Sequence, residues 1–234
     1  MPKGLTLITG VGRAGQVGEV VAHTFAARGH HVLLVSRNAD EVAARAEAIR
    51  AEGFSASPYA CDLADTPQVG ALVERVVAEH GSGLDALVNL AGGFASSGPI
   101  ADSTPETWDR LSRINLLTAY TATRAFLPLL RQARGSVVFF ASEAVLPGAS
   151  VSGVWAYAAA KTAVVTLMRA LACEEQKAGV RANAVAPTAI RTASNLDSMG
   201  DSTRYVERED VANVVWFLCS DAARAVTGQV LRLA

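Results

Sequence analysis

Apolar residues fall along the chain in two alternating rhythms. Short unbroken runs at Leu5–Ile8, His31–Ser36, Ser55–Ala60, Asp85–Leu90, Val137–Phe140, Arg181–Ala186 and Gly228–Leu233 predict seven buried strands. Pro58 predicts that the third is short or irregular. Between them the apolar positions take helical spacing. Val20, Val21, Ala22, Phe25 and Ala26 share one face, as do Val42, Ala46 and Ile49 within residues 40–52. Thr66-Pro67 reads as an N-cap followed by a first-turn proline, opening a helix that reaches about His80. Thr104-Pro105 repeats that start. It opens one long helix carrying Trp108, Leu111, Ile114, Leu117 and Tyr120 and ending at Gly135. A helix begins near Trp155, and another spans Asp210–Cys219. Strands that alternate with helices throughout predict an α/β fold, a parallel sheet covered on both faces. No repeat or linker interrupts it, so residues 1–234 are expected to form a single domain.

The first strand runs into Thr9-Gly-Val-Gly-Arg-Ala-Gly-Gln-Val-Gly18 and then a helix. Strand, glycine loop and helix turn backbone N–H groups and a helix N-terminus towards a phosphate. Gly10, Gly12, Gly15 and Gly18 allow close backbone approach. Residues 5 to 36 then make one right-handed βαβ unit. At the end of its second strand an acid would bind both ribose hydroxyls of NAD. Here the strand ends in Ser36-Arg37-Asn38. Serine leaves room for a 2′-phosphate, and Arg37, with Arg13 in the loop as a second cation, can meet it. The alternative is that both arginines are simply solvated. The expected cofactor is NADP(H), with NAD(H) as the alternative. Cys61-Asp62-Leu63 and Asn89-Leu-Ala91-Gly92 also stand at strand ends, where such sheets bind ligands.

Tyr157 and Lys161 lie four residues apart, one above the other on a helix. A fixed ammonium favours the phenolate and is expected to bring the tyrosine pKa down towards working pH, suiting it to proton transfer at an alcohol oxygen. Asn115 sits among apolar neighbours inside the long predicted helix, which makes it a candidate buried hydrogen-bonding group.

Composition narrows the classes. The 234 residues are 50% apolar and 18% charged with a formal net charge of −1, which gives no electrostatic case for nucleic acid. Cys61, Cys173 and Cys219 lack C-x-x-C spacing, and the four histidines have no ligand spacing, so no metal site is expected. No signal peptide precedes Leu5 and no apolar run reaches bilayer length, so a cytoplasmic protein without a membrane partner is expected.

In order along the chain, Thr9-Gly10 with its loop, Asp62-Leu63, Asn89-Leu-Ala-Gly92, Asn115, Ser142, Tyr157-x-x-x-Lys161 and Arg181-Ala-Asn-Ala-Val-Ala-Pro187 make the sequence similar to a short-chain dehydrogenase/reductase over essentially its whole length. Glu209-Asp-Val-Ala, Phe217-Leu-Cys-Ser-Asp221 and Thr227-Gly228 resemble that family's ending. The resemblance implies a Rossmann-type doubly wound sheet, a nicotinamide cofactor, a small-molecule carbonyl/alcohol substrate and a homotetramer or homodimer. It implies that Tyr157 exchanges a proton with the substrate oxygen and that Lys161 tunes it and holds the nicotinamide ribose. Ser142 would orient the oxygen, and Asn115 would hold a water in the relay behind the lysine. For the cofactor it implies Gly10, Gly12, Arg13, Gln16 and Val17 in the loop, Ser36, Arg37 and Asn38 at the end of the second strand, and Asp62 and Leu63 at the adenine. Asn89, Ala91 and Gly92 would meet the adenine-side ribose, and Pro187, Ile190 and Thr192 the nicotinamide.

Several features depart from the family pattern. The glycine loop carries two extra residues, with Gln16 where a glycine is usual. That length resembles the enoyl-thioester reductases of the same superfamily, but their tyrosine position corresponds to Val154, beside Trp155, and neither donates a proton. The Ser142–Tyr157 loop is about two residues long for the family, Pro187 is followed by threonine, and the terminal Asp-Gly-Gly is absent. The segment between Thr192 and Glu207 is short for a substrate lid. With Ala91–Phe94 and Pro187–Thr192 it resembles pteridine reductases, against which Ser142 argues. The expected activity is therefore NADP(H)-dependent interconversion of a ketone or aldehyde and an alcohol. The alternatives are an enoyl-thioester or pteridine-type reductase and a catalytically silent NADP(H)-binding sensor. Phe94, Val151, Val154, Trp155 and Leu196 are candidates for an apolar substrate pocket.

Overall fold

Strands apolar on both faces need cover on both sides, and the computed structural model, which describes residues 3–234, provides it. The strands are β1 (Gly4–Thr9), β2 (His30–Ser36), β3 (Ala56–Ala60), β4 (Ala86–Asn89), β5 (Ser136–Phe140), β6 (Arg181–Pro187) and β7 (Val230–Leu233). They form one sheet in the order β3-β2-β1-β4-β5-β6-β7. Every neighbouring pair is parallel. Successive residues point to opposite faces, and two cores follow. Leu7, Leu33, Leu87, Val137 and Phe139 face one layer, while Ile8, Leu34, Val88, Val138 and Val185 face the other. The first layer holds α3 (Thr66–His80), α5 (Thr118–Ala133) and α6 (Trp155–Glu174); the second holds α1 (Val17–Ala27), α2 (Ala39–Ala51) and α8 (Arg208–Cys219). Pro58 sits within β3, an edge strand, where a missing N–H leaves no ladder bond unmade on the open side.

Three expectations need correction, and the sequence reading omits one helix. The helix predicted to run from Thr104 to Gly135 is α4 (Pro105–Ser112) and α5 joined by a π-turn at Arg113–Leu117. Asn115 lies at its centre, where the wider turn frees local backbone groups, and its side chain donates to Leu111 O at 3.0 Å. The cap of α3 is one residue earlier than predicted. Asp65, not Thr66, accepts from Gln68 N at 3.1 Å, as a carboxylate is the stronger acceptor for a helix N-terminus. The segment after Thr192 contains a helix, α7 (Ala193–Met199). Lastly, α6 is by length and composition apolar enough to cross a membrane, and 50% of that stretch is buried in the fold, as in a core helix.

The ends of α5 and α6 are tied by a forked ion pair. Arg131 donates to Glu175 from Nε at 2.7 Å and Nη2 at 2.6 Å. Glu175 is buried, and Arg131 holds its carboxyl below the usual range. A depressed carboxylate contributes stability above its unfolded value, and that contribution fades as pH falls through the folded one. Arg131→Met is therefore expected to lower the urea midpoint at pH 7. Urea unfolding should show the gap to the parent chain narrowing below about pH 4.

Candidate active site

The sheet order reverses between β1 and β4, and a cleft opens at the carboxyl ends of these strands. Thr9 closes its floor. Its hydroxyl donates to Val88 O at 3.2 Å and accepts from Leu90 N and Ala91 N, each at 3.0 Å. Gly10 then turns with φ +78°, and a Cβ there would stand 2.8 Å from Ala91 Cα. Only glycine lets the two strand ends come this close. The cavity has a volume of about 830 Å³.

Tyr157, Lys161 and Ser142 converge on one end of it. Val154, at the start of α6, offers no side-chain cap, so the loop from β4 supplies one. Ser97 Oγ accepts from Ala156 N at 3.4 Å. Gly153 O accepts from Ser97 N, Gly98 N and Ser96 Oγ at 2.8, 3.1 and 2.9 Å. Lys161 is buried, and its ammonium donates to Phe140 O at 2.8 Å. Ser142 stands two residues beyond the end of β5, its hydroxyl accepting from Ala144 N. Asn115 clamps the turn facing the lysine: its Oδ1 accepts from Gly93 N at 3.1 Å and its Nδ2 donates to Gly93 O at 2.9 Å. A Cβ on Gly92 would stand 2.6 Å from Asn115 Oδ1 and 3.4 Å from Lys161 Nζ.

The electrostatics depart from the sequence expectation. Burial pushes the Tyr157 phenol up, with the Ser142 hydroxyl pulling it back, and pushes Lys161 down to about 8. The ammonium is held by a carbonyl, 5.7 Å from the Tyr157 ring centre, so desolvation outweighs the expected lowering of the phenol.

The other end of the cleft fits a dinucleotide. Gly10 and Gly12 leave space that a Cβ would fill, and Arg13 and Arg37 line the wall with no ion-pair partner among the described residues. Gln16, Val17, Ser36, Asn38, Asp62, Leu63, Ala91, Gly92, Pro187 and Ile190 line it as well. Asn38 also caps α2, accepting from Glu41 N, and Asp62 accepts from Ala64 N at 3.0 Å and faces Arg113 at 3.4 Å.

Two candidate cofactor residues do not line the wall. Asn89 turns into the helix layer and donates to Thr123 Oγ1 at 2.9 Å, because β4 points that side chain off the cleft. Thr192 is buried as the cap of α7, accepting from Asn195 N at 3.2 Å, and Asn195 lines the cleft instead. The lengthened loop reaches α7: Ala193 N donates to Gly15 O at 3.0 Å, and Gln16 Nε2 to Ser194 Oγ at 3.0 Å. Of the candidate substrate residues Phe94 alone lines the cleft, its ring edge-on to Tyr157 at 5.2 Å, while Trp155 stacks on Trp108.

A family model described as enoyl-(acyl carrier protein) reductase matches residues 10–233. A tropinone reductase homolog of Arabidopsis thaliana is 33% identical over 96% of this chain and 87% of its own length. A short-chain type dehydrogenase/reductase from Mycobacterium ulcerans superposes with TM-score 0.89 at 32% identity, covering 100% of this chain and 89% of that one. The chain belongs to the short-chain dehydrogenase/reductase family. It is thus an oxidoreductase of the CH–OH/C=O class. A family neighbour, a gluconate 5-dehydrogenase from Burkholderia cenocepacia solved with NADP and tartrate, superposes with TM-score 0.90 at 27% identity over 100% of this chain and 94% of its own.

Sequence reasoning missed Glu41, Arg110, Arg113, Ile114, Thr118 and Asn195 as wall residues of this family member. A signal existed for three of them: Arg110, Arg113 and Ile114 are three or four apart and share a helix face beside Asn115.

The buried ammonium has a consequence for stability. Below about pH 8 Lys161 is charged in the folded and the unfolded chain, and its burial costs about 3 kcal/mol. As pH rises from about 8 towards 10.5 only the unfolded chain keeps the proton, and stability recovers. Lys161→Met is expected to raise the denaturation midpoint at pH 7. A comparison of both chains by thermal melting should show the advantage shrinking by pH 9.5.

Proposed function

We propose that this protein is an NADP(H)-dependent oxidoreductase that interconverts a ketone or aldehyde and an alcohol, with Tyr157 as the acid/base. The observation that carries the reading is the convergence of Ser142, Tyr157 and Lys161 on one end of a cleft whose other end presents glycine backbone and two guanidiniums without an ion-pair partner among the described residues. The cofactor supplies or accepts the hydride when bound. The chain's own residues do the rest. Tyr157 holds the proton at the substrate oxygen and gives or takes it there. Ser142 donates a hydrogen bond to the same oxygen and fixes its direction. Lys161, held by Phe140 O, presents a positive charge that favours the phenolate as the proton leaves. Asn115 is a positioning residue that clamps Gly93 opposite the lysine and orders the relay behind it. Arg37, aided by Arg13, receives the 2′-phosphate.

The four-residue spacing of tyrosine and lysine supports carbonyl chemistry over enoyl-thioester reduction. Val154 heads α6 and Trp155 is stacked on Trp108, so neither stands ready to donate a proton. The reading includes a homo-oligomer in the cytoplasm. An exposed stripe on α6 (Thr162, Thr166 and Ala170), with exposed Tyr120 and Trp108 on neighbouring helices, supports the assembly, and three free thiols suit a reducing compartment.

Two variants test the reading. Tyr157→Phe is expected to lower turnover of a carbonyl panel by about 100-fold or more while calorimetry shows NADPH binding within twofold of the parent; parent-level turnover would refute the role of the phenol. Arg37→Ala is expected to weaken NADPH by roughly 1–3 kcal/mol and leave NADH nearly unchanged. Equal loss for the two cofactors would refute the phosphate contact.

A further inference from the structure

The end of β2 carries no acid in the sequence, yet the fold brings one there. Glu41 stands in the first turn of α2, its backbone N–H held by Asn38 Oδ1 at 3.1 Å. Its carboxylate points back towards the glycine loop. A Cβ on Gly12 would lie 2.7 Å from Glu41 Oε2 and 2.8 Å from Ser36 Oγ, so the carboxylate and the serine hydroxyl face the same small space over Gly12. Glu41, Ser36, Arg37 and Gly12 all line the cleft.

The neighbouring carboxylates are engaged. Glu19 accepts from Gly15 N at 2.8 Å and pairs with Arg45, and Asp62 accepts from Ala64 N and faces Arg113. The Glu41 carboxylate has no hydrogen-bond or ion-pair partner among the described residues. In a βαβ dinucleotide site, an acid at this place accepts from the adenosine ribose hydroxyls. A phosphate brought to the same place meets a like charge, which disfavours it.

We propose that Glu41 is a specificity-determining residue that opposes Arg37: its carboxylate accepts from the 2′-hydroxyl of NAD(H) and repels the 2′-phosphate of NADP(H). This rests on the reading that the cleft binds the dinucleotide with its adenosine end at β2. The site holds both signs of charge around one substituent. Arg37 and Arg13 attract the phosphate, Glu41 rejects it, and Ser36 is small enough to admit either cofactor. The outcome is a moderated preference for NADP(H) rather than exclusion of NAD(H). Gly12 belongs to the same device, because any side chain there collides with the carboxylate and turns it out of the cleft.

The test is calorimetric titration of the full chain with NADPH and NADH at low salt, for the parent, Glu41→Gln and Glu41→Ala. Glu41→Gln keeps the shape and removes the charge. It is expected to tighten NADPH and weaken NADH, changing the ratio of their dissociation constants by about tenfold. The gain for NADPH should shrink in 0.5 M NaCl, since screening weakens the repulsion it relieves. Glu41→Ala is expected to shift the ratio in the same direction, which guards against a folding defect peculiar to one variant. An unchanged ratio in both variants, with the parent binding normally, overturns the role of Glu41 and leaves the proposed function standing. A parent chain that binds neither cofactor overturns both.

Discussion

The Thr9 hydroxyl holds together the place where everything else happens. A parallel sheet that changes winding direction must separate its strand ends at that point. The separation would leave the amides of Leu90 and Ala91 without strand partners. Thr9 takes both, while donating to Val88 O. Its own oxygen is thereby satisfied in a fully buried setting, where an unmade bond costs most. With β4 fixed against β1 in this way, Gly92 and Gly93 emerge at a set height. The clamp from Asn115 to Gly93 then places the π-turn, and the π-turn places the start of α5. The cleft floor, the lysine surroundings and a helix joint all descend from one side chain.

Lys161 shows the opposite economy. Burial alone makes a charged lysine unfavourable, and only one carbonyl compensates it directly. A methionine of similar length would pack there without that cost. The position therefore works against stability, as expected where chemistry sets the residue. The surroundings keep the side chain pointed correctly. The serines of the loop after β4 cap α6 from outside, because the sequence at the head of α6 has no capping residue of its own. The head of α6 is held by a neighbouring loop, so the loop after β4 and Tyr157 are mechanically one unit.

The sheet, and the placing of Ser142, Tyr157 and Lys161 at the candidate site, were legible in the sequence because they depend on local rules. Short apolar runs bounded by glycines and polar turns read as doubly covered strands, and a tyrosine and lysine four apart on a helix share a face. What was not legible depends on contacts between distant segments. Asn89 stands at a strand end like Gly92, but the pleat sends its side chain to Thr123. Thr192 resembles a ligand contact and is a helix cap. The break at Arg113–Leu117 replaces what periodicity shows as one helix, and beyond it Tyr120, on the apolar stripe of the sequence, is exposed while Ala119 and Ala122 are buried. Glu41 reads as an ordinary first-turn acid on α2, favoured there by the helix dipole. Its second role is visible only when Gly12 and Ser36 are seen beside it.

The lengthened glycine loop separates family likeness from chemistry. Its two extra residues, with Gln16 in place of a glycine, give it the length seen in enoyl-thioester reductases. In this structure those residues are spent on α7: Gly15 O takes an amide from its first residue, and Gln16 reaches Ser194. Gly15 has φ +72°, and a Cβ there would stand 3.0 Å from Ala193 Cβ, so the close approach of loop and helix requires glycine at that point. The added length thus braces α7 from one side, while the Tyr205 hydroxyl holds it from the other, donating to Asn195 O at 3.2 Å and Gly200 O at 2.8 Å. It leaves the spacing of Tyr157, Lys161 and Ser142 untouched, since these come from α6 and β5 on the far side of the floor. In this chain the glycine loop and the proposed proton chemistry are carried by different elements, so the added length need not alter the second.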